Sequence, residues 1–124
     1  MHFLRWDQTV TLNAWSDAEM AYDSTLSYAD RPGFRCGTCF EYPAFDVVNC
    51  QPLSLIVRPL VAMDCTVIAE RYLGFGSTEA AYNKFSDLKS KCRKVGGVYT
   101  LLWHNSFFSS SKDFEIYRRL LSET

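Results

Sequence analysis

The sequence predicts an α/β fold with parallel strands and flanking helices, together with an irregular aromatic-rich segment. Three observations carry that expectation. An amphipathic helix over about residues 78–95 runs through a glycine pair straight into "VYTLLWH", a run without polar alternation that suits a strand covered on both faces. A second capped helix follows in "SSSKDFEIYRRLLSE", giving helix–strand–helix at the end of the chain. Strand–helix–strand is the expected order at its start, and parallel sheets are built from such units.

Taken in order, "MHFLRW" reads as a short strand, and "TVTLNAWSDAEMAY" places Leu12, Trp15, Ala18 or Glu19, and Tyr22 at helical spacing. "DSTL" reads as a brief strand. Residues 28–52 form the irregular segment, broken by Pro32, Gly33, Gly37 and Pro43. "LSLIVRPLVAMDCTVI" reads as one or two strands with Pro59 at the break, and "YLGFG" as a turn. In the long helix Ser77 is the expected N-cap, Glu79 suits the first turn, and Lys89, Lys91, Arg93 and Lys94 suit the last turns. Ala81, Phe85, Leu88, Cys92 and Val95 form its apolar stripe, and Gly96 is the expected residue just past its end. In the final helix Phe114, Tyr117 and Leu121 share one face.

At 124 residues, with 48% hydrophobic and 22% charged residues, the chain reads as one domain or part of one. A net charge of -1 gives no electrostatic case for a nucleic-acid partner. The longest apolar stretch is interrupted by Arg58, Pro59 and Asp64, which argues against a membrane span. The N-terminus lacks a signal-peptide pattern, and five irregularly placed cysteines suit a reducing compartment, so a cytoplasmic location is expected. "CGTC" raises a redox or zinc reading for Cys36 and Cys39. Pro43 follows soon after it and no second such pair exists, so thiols without a chemical role fit better.

In α/β folds chemistry collects at the C-terminal ends of parallel strands, where "HNS" places His104. A histidine held there by a rigid strand suits general acid–base work; it equally suits a side chain that caps the next loop.

The pieces "HFLRW", "YDSTLSYAD", "GFRCGTC", "YPAFD", "PLSLIVRPLVAMDCTV" and "GGVYTLLWHNS", in this order, resemble the C-terminal half of a bacterial branch of the polysaccharide deacetylase (NodB-homology) family. The resemblance implies the C-terminal part of an incomplete, distorted (β/α) barrel and a metal-dependent carbohydrate esterase. It matches Leu102-Trp103-His104 to the family's Leu-x-His, where the histidine is the general acid and the leucine lines the pocket for the acetyl methyl. It also implies a substrate-facing Trp103. Tyr22-Asp23 loosely matches the aspartate that sets the histidine's charge state, although the family's "DW" ending is absent there; Asp23 equally suits a turn. Arg35 points to the same cleft or to a salt bridge.

The family's metal set, an Asp-Asp pair and two closely spaced histidines, has no counterpart: His2 and His104 lie at opposite ends of the chain. The resemblance therefore implies zinc for the full-length family, no catalytic metal here, and no activity for this chain alone. Met1 is then expected to be an internal methionine of a longer parent that acts on a glycan, with a complementary chain or domain covering the open barrel. A second reading is a non-catalytic carbohydrate- or protein-binding module using Tyr28, Phe34, Phe40, Tyr42 and Phe45.

Overall fold

The computed structural model describes residues 4–122. It is mixed α/β, with α1 (Thr11–Asp17), β1 (Tyr22–Asp23), β2 (Tyr42–Asp46), β3 (Gln51–Val57), β4 (Ala62–Met63), α2 (Asp64–Ile68), α3 (Glu79–Lys94), β5 (Leu101–Leu102) and α4 (Ser111–Ser122). One sheet has the order β1-β3-β2, the other pairs β4 with β5. β1–β3 and β4–β5 are parallel, as the sequence predicts, while β2–β3 is an antiparallel hairpin. No closed barrel forms among the described residues.

Residues 51–63 are the spine that joins the two sheets. Ile56 and Arg58 donate backbone N–H groups to Ala21 and Asp23, Leu60 donates to Leu26, and Val61 and Ala62 both donate to the carbonyl of Thr100. Pro59 has no N–H to give, and the switch of partner falls around it. Every residue from Pro59 to Ile68 is buried. The segment covered on both sides is therefore this one, whereas Leu101 and Leu102 of β5 are only half-buried.

Two apolar cores lie on either side. Leu12, Ala44, Leu55 and Val57, with Trp6 and Trp15 against them, close α1 over the first sheet. Val61, Ala62, Val67, Phe85, Leu88, Cys92, Ile116 and Leu120 pack α2, α3 and α4 together beside the second. Helix α3 ends as expected: Gly96 has φ +70°, its N–H reaches the Arg93 carbonyl, and Gly97 reaches that of Cys92, a Schellman motif. Ala81, Phe85, Leu88 and Cys92 are buried, but Val95 lies at the cap and is exposed.

Several expectations are corrected. The α3 N-cap is Thr78, whose hydroxyl donates to the Phe75 carbonyl rather than to the helix, and the Ser77 hydroxyl donates to Asp113. Helix α4 buries Ile116 and Leu120, leaving Phe114 and Leu121 exposed. "DCTVI" is helix α2 rather than strand, and the irregular segment contains β2, whose inward residues are Ala44 and Asp46. "DSTL" contributes only Asp23 to a strand, and Tyr22 belongs to β1 rather than to α1. Residues 4–6 hold no strand, and the rest of "MHFLRW" lies outside the described residues.

Helix α4 opens on a capping box: Ser110 accepts from the Asp113 N–H at 3.2 Å, and Asp113 accepts from the Ser110 N–H at 2.9 Å. Burial opposes ionisation of Asp113, yet bonds from Ser77, Ser110 and Ser109 hold its carboxyl below the ordinary value of 3.8. A depressed folded-state value means that the stabilisation is complete above the ordinary value and is lost as pH falls through the depressed one. Acid titration of unfolding should therefore show a shallower loss of stability below about pH 4 in Asp113→Asn than in the parent.

Gly97 has a separate role at a close approach. A Cβ there would lie 2.3 Å from Cys39 Sγ, itself buried. Gly97→Ala should cost about 1–3 kcal/mol in chemical denaturation. The Gly97→Ala/Cys39→Ala double variant should recover part of that loss, because the nearest remaining atom is 3.4 Å away.

Candidate functional site

The parallel register pairs Ala62 with Leu101 and Met63 with Leu102, so the two strands end side by side. Asp64 is the first residue beyond β4, and His104 lies two beyond β5. Strand alternation then sorts the side chains. Leu102 and His104 turn to a cavity of about 480 Å³, lined also by Met63, Cys65, Arg71 and Phe107. Trp103 turns the other way. Its ring lies 5.7 Å from Phe85 and 5.3 Å from Tyr117, and its indole N–H donates to the Phe107 carbonyl at 2.9 Å.

Asp64 is fully buried and still richly bonded. His104 Nδ1 lies 2.7 Å from one carboxylate oxygen, which also accepts the Cys65 N–H at 2.5 Å. The other oxygen accepts the backbone N–H of His104. An ionised carboxylate can only accept, so the ring nitrogen facing it carries the hydrogen and Nε2 is left as the acceptor. The histidine side chain is 38% exposed against 0% for the aspartate. The pair is thus an imidazole anchored at its back and open at its front, an arrangement that can pass a proton to or from a bound molecule.

Cys65 adds a thiol to the same wall, and burial, then the Asp64 charge, push it above the ordinary thiol value despite Arg71 beside it. The Arg71 guanidinium lies 4.9 Å from the Tyr72 ring centre. Among the described residues no carboxylate is within ion-pair reach of it.

Of the residues singled out in the sequence, Leu102 and His104 meet in the cavity. Trp103 is packed among the helices and is absent from the cavity lining. Asp23 is buried and accepts from the N–H and hydroxyl of Thr25, at 3.1 and 2.6 Å, as a turn aspartate does. Arg35 donates to the Ser27 carbonyl at 2.8 Å, tying down the loop. The carboxylate beside His104 is Asp64, which sequence reasoning missed; the only available signal was its position directly after a buried strand.

Cys36 and Cys39 are free thiols, and no helix follows them. Cys39 lies against Cys92, whose thiol is pushed up to about 12 by burial and by its bond with Cys39, while Cys36 neighbours Tyr42. Of the five aromatics in the second reading, Phe34 and Tyr42 pack against the two cores, whereas Phe40 and Phe45 are exposed. No helix among the described residues is long and apolar enough to cross a membrane. No family model, curated protein or solved structure matches the chain.

Asp64→Ala should strip the His104 and Cys65 N–H groups of their acceptor and cost about 1–3 kcal/mol in denaturant unfolding. ¹⁵N NMR of the imidazole should show hydrogen on Nδ1 in the parent. In Asp64→Ala it should show a shift toward the Nε2–H tautomer.

Proposed function

We propose that this chain is the acid-bearing part of a carbohydrate deacetylase of the polysaccharide deacetylase kind, with His104 delivering the proton and Asp64 holding it in place. The observation that supports this reading is the His104–Asp64 pair at the ends of two parallel strands, facing a cavity. An acetylated sugar amine or hydroxyl needs a proton as it departs from the acyl carbon. Nε2, the ring position not held by Asp64, can supply it once the imidazole has taken up a second proton and become imidazolium. Leu102 and Met63 offer an apolar wall for the acetyl methyl.

Hydrolysis also needs an activated water. The family's zinc would be held by an aspartate and two neighbouring histidines, a set these residues do not fit: the sequence has two histidines, of which His2 lies outside the described residues. The activating half of the chemistry thus belongs to a longer parent or a complementary chain. On this reading the glycan meets His104 in the assembled enzyme, and the chain alone is an incomplete catalyst.

Two measurements test the reading. Purified 1–124 should release no acetate from acetylated chitooligosaccharides, with or without chelator; chelator-sensitive release would overturn the division of labour. Titration of the chain with the same oligosaccharides should move the NMR signals of Met63, Leu102 and His104. Saturating oligosaccharide that moves none of them removes the glycan from the proposal.

A further inference from the structure

Outside its bond to His104, Asp64 has a second neighbour whose chemistry the acid role does not use. Cys65 Sγ, a carboxylate oxygen of Asp64 and a ring nitrogen of His104 all lie within 4.8 Å of one another. The first two are consecutive in sequence and the third is 40 residues away, brought in by the β4–β5 pairing. We propose that Asp64, Cys65 and His104 bind one Zn²⁺ ion at the floor of the cavity, with water in the fourth position.

The donor set selects the ion. One thiolate, one imidazole and one carboxylate is a borderline-soft set that suits Zn²⁺ and leaves the hard ions Mg²⁺ and Ca²⁺, which take oxygen ligands, poorly served. Three protein ligands with an open position is the pattern of sites that keep a water. Here the open side is the cavity, toward which the imidazole is 38% exposed. Zinc–ligand distances of about 2.0–2.3 Å require donors somewhat closer together than the widest present gap. Both Cys65 and the half-exposed imidazole are side chains with torsions that can turn toward an ion. The surroundings are also suited: the His104 backbone N–H fixes the second oxygen of Asp64, and the Arg71 guanidinium lies beside the thiol, where positive charge favours thiolate.

Binding releases the Cys65 thiol proton to solvent, while the imidazole hydrogen that faces Asp64 moves through solvent to Nε2, so that a neutral imidazole, a thiolate and a carboxylate hold the ion. This site differs in residues and in position along the chain from the metal set of the family resemblance. Its existence does not depend on the glycan reading. One consequence does rest on that reading: with zinc on the nitrogen that faces Asp64, His104 can no longer become imidazolium, so the ion would switch the acid off.

Co²⁺ is the spectroscopic probe. Titrating chelator-treated 1–124 with Co²⁺ should saturate at one equivalent and develop a near-ultraviolet thiolate-to-cobalt band, which Zn²⁺ then erases. Cys65→Ser should abolish the band and weaken Zn²⁺ at least about tenfold. His104→Gln, at a half-exposed side chain, should weaken Zn²⁺ similarly and serves if Cys65→Ser does not fold by circular dichroism. A Cys36→Ser/Cys50→Ser variant should behave as the parent. Absence of a thiolate band, or a band that survives Cys65→Ser, overturns the site. Neither result bears on oligosaccharide-induced shifts measured in chelator, so the two readings fail separately.

Discussion

The parallel pairing of Ala62 with Leu101 and Met63 with Leu102 is the contact on which the rest is hung. It is only two residues long, too short to be stable by itself. Helices α3 and α4 supply what it lacks, since Phe85, Leu88, Ile116 and Leu120 pack in one core with Val61, Ala62 and Val67. The connection between β4 and β5 is a crossover through α2 and α3, so the helices cannot dock without bringing the strands together, nor the reverse. The ends of the strands then have nowhere to be but side by side. A slip of one residue would turn His104 from the cavity to the helix layer and Trp103 from the helix layer to the cavity.

How much of this was legible in the sequence depended on the range of the signal. Helix α3 announces itself because its apolar stripe, its cationic last turns and Gly96 all lie within a short window. Asp64 is the opposite case. "VAMDCTVI" looks like continuous strand because its residues are apolar and β-branched. Burial on all sides, a tertiary effect, lets the short helix α2 form there. Nothing nearby in sequence marks the aspartate as the partner of a histidine so far along the chain. Asp23 was the more visible candidate through its motif-like setting, yet its carboxylate is engaged by Thr25. Strand β2 was hidden for a different reason: its inward positions are Ala44 and Asp46 and its outward ones include Phe45, which reverses the usual pattern. Trp103 shows the limit of motif matching, for adjacent residues of a strand face opposite ways.

The electrostatic design of the site follows from burying one charge. A carboxylate with no exposed surface costs several kcal/mol unless donors surround it. Those donors come from the two strand ends: the backbone N–H groups of Cys65 and His104, and the imidazole. The same bonds that make the charge tolerable orient the ring. The cavity keeps one permanently positive group, Arg71, at its wall, while Leu102, Met63 and Phe107 leave the rest apolar. Polar groups are thus few and convergent, the usual character of a small-molecule site.

The saturation of Asp64 has an evolutionary side. Three N–H donors converge on two oxygens inside a closed space. Asparagine has the shape but brings two donors of its own where only acceptors are wanted. Glutamate has the chemistry but adds a methylene at a fully buried position. Asp64 therefore has few conservative replacements, and its loss is felt first in stability. His104, half in solvent, has more room to change, although losing its ring would leave the buried charge one donor short. Among descendants of this chain the buried aspartate should outlive the histidine that it holds.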